Sequence, residues 1–217
     1  MIRVLVADDH AMVRTGLRLI LEGQADIEVV GEASDGEEAQ VAVRRDRPDL
    51  VLMDIRMPRL DGIAATRKLI EHHPALRILI VTTFDADQYV FEALRAGASG
   101  FILKDSSPEQ LVAAVRLIAA GDALLAPART RRLIEAQVRP QASFDKNLIG
   151  TLTDREREVL VLMARGLDNG QIAAELIVSE ATVRTHVGHV LSKLDARSRV
   201  QAVVAAYESG LVRPSSS

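Results

Sequence analysis

Leu50-Val51-Leu52-Met53-Asp54 is a short, almost wholly apolar run that stops on an acid. Ile2–Ala7 has the same character and is followed at once by Asp8 and Asp9. Ile27–Glu32, Ile78–Thr82 and Gly100–Leu103 complete a set of five. Three of these runs are nearly continuous Val, Ile and Leu, as parallel strands covered on both faces require. Between them lie stretches of helical period. Ala11–Glu22 gathers Val13, Leu17, Ile20 and Leu21 on one face, and Ala86–Ala96 gathers Tyr89, Val90, Ala93 and Leu94. Leu111–Ala119 does the same with Leu111, Val115 and Ile118. Strand and helix in alternation predict a doubly wound α/β domain over residues 1–120, built on a five-stranded parallel sheet.

In such a sheet ligands collect at the carboxyl ends of the strands. Asp8 and Asp9 follow the first strand, Asp54 ends the third, Thr82 ends the fourth and Lys104 follows the fifth. Taken singly, an Asp at a strand end is usually a helix cap, and a lone Lys is a solvated charge. Their order along successive strand ends is what argues for a site. Crowded carboxylates favour a hard divalent cation held by oxygens, and Mg²⁺ meets that need. Acids, cation, hydroxyl and ammonium around one carboxylate suit phosphoryl transfer, with Asp54 as the nucleophile.

The strand pattern stops at Gly121. Pro127 can open a short helix through Arg131, Leu133 and Ile134, after which Arg139–Asp145 reads as irregular. Residues 121–149 are thus expected to be a linker with a short helix, and 214–217 a disordered tail. From Leu152 the text is helical. Thr153 with Glu156, and Asp168 with Gln171, have capping-box spacing, while Ser179 and Ser198 begin two further helices. Residues 150–213 therefore read as a small all-α domain of four helices. Within it, Asp168–Leu194 has helix-turn-helix proportions: Val183, Val187, Val190, Leu191 and Leu194 face inward, and Arg184, Thr185, Gly188, His189 and Ser192 face outward. His186 and His189 are spaced as a metal pair but have no further ligands.

Composition narrows the class. The 217 residues contain no cysteine, which excludes a disulfide scaffold and fits a reducing cytoplasm. No apolar run reaches the roughly 20 residues of a membrane span, and no secretory leader is evident. The net charge of −3 is unevenly spread: residues 1–120 carry 14 Lys/Arg against 19 Asp/Glu, and residues 150–217 carry 8 against 8. A neutral domain with a locally basic helix can still hold phosphates.

Two resemblances fit these readings. Val4-Leu5-Val6-Ala7-Asp8-Asp9-His10, Asp54-Ile55-Arg56-Met57-Pro58 with Asp61-Gly62, Val81-Thr82-Thr83, and Gly97-Ala98-Ser99-Gly100-Phe101 up to Leu103-Lys104 resemble the flavodoxin-like receiver domain of bacterial response regulators. Many receivers carry proline after the lysine, whereas this chain has Asp105. Leu152-Thr153-x-Arg155-Glu156-x-Glu158-Val159-Leu160, Asn169-x-x-Ile172-Ala173 and Ser179-Glu180-x-Thr182-Val183-Arg184-Thr185-His186-Val187 resemble the LuxR-type DNA-binding domain. Together they identify the chain as similar to NarL/FixJ-type response regulators.

The resemblance implies that a histidine kinase phosphorylates Asp54 with Lys104 and Thr82 assisting. Asp9, Asp54 and the main-chain carbonyl of Arg56 would bind Mg²⁺, and Asp8 would assist through water. Thr82 and Phe101 would form the switch pair, while Arg56 and Phe84 would tune dephosphorylation. Arg184, Thr185 and Gly188 would face DNA bases, with His189 taking over where Gly188 is too short, and Lys193 and Arg199 would hold phosphates. Val200, Val203, Val204 and Tyr207 would form a homodimer contact, with RNA polymerase as a further partner on double-stranded DNA. Two competing readings are an aspartyl-phosphate phosphatase, which leaves residues 150–212 without a role, and a ligand-sensing LuxR-type regulator, which needs an effector pocket instead of three acids.

Overall fold

The apolar runs pair side by side into one parallel sheet, because each presents apolar side chains to both faces and needs helices over each. The computed structural model describes residues 1–82, 87–120 and 146–212. Its strands are β1 (Ile2–Ala7), β2 (Ile27–Ala33), β3 (Leu50–Asp54), β4 (Arg77–Thr82) and β5 (Gly100–Leu103). They are ordered β2-β1-β3-β4-β5, all neighbours parallel. The connecting helices are α1 (Ala11–Glu22), α2 (Gly36–Asp46), α3 (Gly62–His72), α4 (Asp87–Ala96) and α5 (Pro108–Ala119).

Alternate strand residues divide between the two faces. Val4, Val6, Leu50, Leu52, Leu79 and Val81 join Leu21 of α1 and Leu111, Val115 and Ile118 of α5 in one buried cluster. Helices α2, α3 and α4 pack against one another in sequence. Burying each large side chain contributes about 1.5–3 kcal/mol, so these strands hold the sheet edges firmly in register. One difference from the sequence reading falls on Tyr89. Helical period assigns it to the apolar face of α4, whereas it is 41% exposed.

The described residues 146–212 belong to a second compact unit. Its described helices are α6 (Lys146–Gly150), α7 (Asp154–Ala164), α8 (Asn169–Leu176), α9 (Glu180–Lys193) and α10 (Arg199–Glu208). The short α6 falls where a linker was expected. Thr153 and Asp168 make complete capping boxes with Glu156 and Gln171, and the Ser179 and Ser198 side chains accept from Thr182 N and Gln201 N. Each such cap is worth about 1 kcal/mol and sets the helix start. Val159, Leu160, Met163, Ile172, Val183 and Val190 are buried among these helices. The helix predicted from Pro127, most of the predicted linker, and the 214–217 tail lie outside the described residues. Among the described residues no helix is long and apolar enough to cross a membrane.

Candidate functional site

Strand register brings the predicted acids together. Ala7 pairs with Met53, Asp54 with Val81, and Thr82 with Leu103. Residues that follow β1, end β3, end β4 and follow β5 therefore share one edge of the sheet. Asp8, Asp54 and Thr82 are all buried there. Lys104 lies between two of the acids, with its Nζ 2.6 Å from Asp8 Oδ2 and 3.2 Å from Asp54 Oδ2.

Burial has the largest effect on Asp54 and lifts its carboxyl above the ordinary value. The Lys104 charge opposes this and the Asp8 charge adds to it. Burial also pulls the Lys104 ammonium down, but the Asp8 and Asp54 carboxylates outweigh it and the net shift is upward. The site is thus a charged lysine facing a desolvated carboxylate.

Asp9 is more open, and its Oδ1 lies 2.6 Å from His10 Nδ1. The His10 main-chain N–H donates to Asp8 Oδ1 at 2.9 Å. Side-chain ligand atoms of Asp8, Asp9 and His10 lie within 4.8 Å of one another. His10 had no role in the sequence reading, since nothing in the order of strand ends marks it. An all-oxygen donor set from Asp8, Asp9 and Asp54 fits a hard cation such as Mg²⁺.

Close backbone approach shapes the loop beyond Asp54. Gly62 N donates to Ile55 O at 2.9 Å, and a Cβ at Gly62 would overlap the Asp54 carbonyl. Arg56 is exposed, with its guanidinium 5.4 Å from the Tyr89 ring centroid. Tyr89 is a neighbour of Arg56 that the sequence reading missed, because helical periodicity assigned it to the core. Phe101, on β5 beside β4, is buried. Phe84 and Thr83 lie outside the described residues.

In the second unit Arg184 is exposed, with a weak 3.6 Å pair to Glu180 one turn back. A Cβ at Gly188 would meet nothing within 4 Å, so the helix surface there is open. His189 is also exposed, 3.7 Å from Glu156. The Thr185 hydroxyl donates to Ala181 O within its own helix.

Three of the expected contact groups have partners within the helical domain itself. Arg199 is 7% exposed and donates to Asn169 Oδ1 at 2.8 Å and to Leu167 O at 2.5 Å, so it braces the start of α8 instead of reaching for phosphate. Lys193 Nζ is drawn inward to Glu156 Oε2 at 2.7 Å and Thr151 O at 3.2 Å, tying the end of α9 to the start of α7. Val200, Val203, Val204 and Tyr207, expected as a dimer face, are each 4% exposed or less. The Tyr207 hydroxyl donates to Ala164 O on α7. Periodicity marks which residues are apolar but not which contact absorbs them.

Comparisons agree with both halves of this description. Residues 4–116 match the response regulator receiver domain family, and residues 150–206 match the luxR family of bacterial regulatory proteins. The chain is 44% identical over 213 residues to the uncharacterized transcriptional regulatory protein YxjL of Bacillus subtilis (strain 168), covering 98% of each. It is 40% identical over 214 residues to the oxygen regulatory protein NreC of Staphylococcus carnosus (strain TM300), covering 97% and 99%. Among solved structures, the response regulator ChrA of a heme-sensing two-component system is similar at 39% identity and a TM-score of 0.54, covering 97% of this chain and 98% of that one. The chain belongs to the bacterial response regulators that join a receiver domain to a LuxR-type helix-turn-helix domain. Its class is that of a transcription regulator.

Proposed function

We propose that this regulator is switched by phosphorylation of Asp54 by a partner histidine kinase, and that the switch controls DNA binding by α9. The observation that carries the reading is Lys104 set between Asp8 and Asp54 at the carboxyl edge of the sheet. The phosphoryl group passes from a histidine nitrogen to Asp54 Oδ: the P–N bond breaks, a P–O bond forms, and the departing imidazole keeps or regains its proton. Lys104 neutralises phosphoryl oxygens as they arrive. Asp9, Asp54 and the Arg56 main-chain carbonyl would hold Mg²⁺, with Asp8 supporting it through water. The cation supplies charge neutralisation for in-line transfer. Thr82 takes up the new phosphoryl oxygens and Phe101 responds to its movement. Arg56 and Phe84 set how readily water returns to the phosphate.

Residues 1–120 form the receiver in this reading, 121–149 connect it onward, and 150–213 read DNA. Arg184, Gly188 and His189 offer the exposed edge of α9 to a major groove. A homodimer on paired half-sites follows from the family, through surfaces other than the buried apolar face of α10. RNA polymerase is the next partner once DNA is engaged, and the cytoplasm is the compartment. Labelling by acetyl phosphate is the direct test. Mg²⁺-dependent incorporation that disappears in Asp54→Asn supports the reading; equal incorporation in that variant overturns it.

A further inference from the structure

The seven residues between β3 and α3, Ile55–Asp61, carry the Arg56 carbonyl proposed above as a cation ligand. Two features show that this loop is held from outside. Arg59 has φ +59°, in the left-handed region that a side chain with a Cβ seldom adopts. The same residue sends its guanidinium back to the start of α2, where Nη2 lies 2.7 Å from Glu38 Oε1 and also contacts Asp35 Oδ2.

Asp35 is the less ordinary partner. Its side chain is fully buried, and its Oδ1 accepts from Glu37 N at 2.7 Å and Glu38 N at 2.9 Å as the cap of α2. That leaves Oδ2 to meet the Arg59 guanidinium, while the loop's other cation, Arg56, lies by the Tyr89 ring. A buried carboxylate requires such a partner, whereas an exposed surface pair would contribute little. The backbone closes the same gap: Gly36 N donates to Leu60 O at 2.9 Å, and a Cβ on Gly36 would come within 2.6 Å of that oxygen. The loop is therefore fixed at its end by Gly62 and at its middle by Arg59 and Leu60.

We propose that Arg59 is a positioning residue, whose ion pairs with buried Asp35 and with Glu38 hold the loop in the shape that presents the Arg56 main-chain carbonyl to a divalent cation. This rests on the Mg²⁺ reading above. Residues outside a metal's own ligands commonly govern its affinity in this way.

The test is a Mg²⁺ titration of the full chain, followed by amide chemical shifts at Asp9 and Asp54. Arg59→Ala and Arg59→Gly should each weaken Mg²⁺ about tenfold, and Arg59→Lys should recover part of the loss. Phosphorylation by acetyl phosphate should then need more Mg²⁺ but reach the same maximal rate. Losing the guanidinium leaves the buried Asp35 carboxylate without its cation and lowers stability, so thermal unfolding is measured for each variant and Mg²⁺ affinity is compared at a temperature where all of them are folded. Arg59→Gly accepts the left-handed conformation without a guanidinium. Unchanged affinity in both variants overturns the proposal. Loss in Arg59→Ala with wild-type affinity in Arg59→Gly also overturns it, since backbone conformation and not the ion pairs would then control the loop. A wild-type chain that shows no shift with Mg²⁺ removes the metal reading and this proposal together, whereas wild-type binding that Asp9→Asn abolishes leaves Arg59 alone on trial.

Discussion

Asp54 combines two properties that oppose each other. The role proposed for Asp54 needs an ionised carboxylate, yet the one at the end of β3 is buried, and its pKa is raised chiefly by that burial. An acid whose folded pKa exceeds its unfolded value holds its proton more tightly when folded. Its contribution to stability is therefore favourable at low pH and is lost as pH rises through the folded pKa. At neutral pH without Mg²⁺, Asp54→Asn should raise the melting temperature by a few degrees; the gain shrinks as pH falls through the raised folded pKa and is gone below about pH 3.9, where the carboxyl is protonated in both the folded and the unfolded chain. Thermal unfolding at pH 7 and pH 3 checks this; a lower melting temperature for Asp54→Asn at pH 7 would contradict it.

Arg184 and Arg199 make a similar contrast within the second domain. Arg199→Ala removes hydrogen bonds from a buried cation and should cost about 1.5–3 kcal/mol of stability, while the salt dependence of DNA binding per folded molecule stays unchanged. Arg184→Ala should leave stability near wild type but cost about 1–3 kcal/mol in operator binding and relax sequence preference. Parallel unfolding and anisotropy titrations separate the two outcomes.

Elements are positioned around this site by backbone contacts as much as by side chains. Gly62 opens α3 where no Cβ can fit beside the Asp54 carbonyl, and its N–H donates to Ile55 O. Gly62→Ala must push α3 away from the end of β3. It should destabilise the receiver by about 1–3 kcal/mol and slow phosphorylation, measurable by denaturant titration and acetyl phosphate labelling. Helices α2 and α3 are also the elements least legible in the sequence. The buried residues of α2 are a glycine, two alanines and Val43, too little apolar volume to mark a face. Those of α3 begin with Gly62 and include Thr66. Their starts are set by Asp35 and Asp61, acids that resemble any loop residue until the N–H groups they accept from are placed. The helices of the second domain were easier, because Thr153, Asp168, Ser179 and Ser198 each stand three residues before the N–H they cap.

At the scale of the whole molecule, two compact units each have their own core and carry separate chemistry. In the proposed function the acidic receiver would meet a kinase and a cation, while the neutral helical unit would meet DNA. Phosphorylation of one can alter the other only by biasing an equilibrium between states of the chain. Coupling of this kind usually amounts to about 5–150-fold in affinity, so phosphorylated protein should bind operator DNA more tightly by a factor in that range. Anisotropy titrations with and without acetyl phosphate measure it, and equal affinities would deny the coupling.

The order of apolar runs along the chain determined the parallel sheet, and the residues that end or follow four of those runs determined that Asp8, Asp9, Asp54, Thr82 and Lys104 would share one edge. That much is local, since strand pairing carries the ends of neighbouring runs to one edge whatever surrounds them. Only the tertiary structure decided which charges stay free. Arg199 and Lys193 resemble phosphate ligands in sequence, but a fold that leaves Leu167 O and Glu156 needing donors turns both inward. The same holds for Val200, Val203, Val204 and Tyr207, whose apolar spacing is equally consistent with an interface or a core. Buried polar groups and apolar faces must find partners, and the nearest partner in space is not written into spacing along the chain.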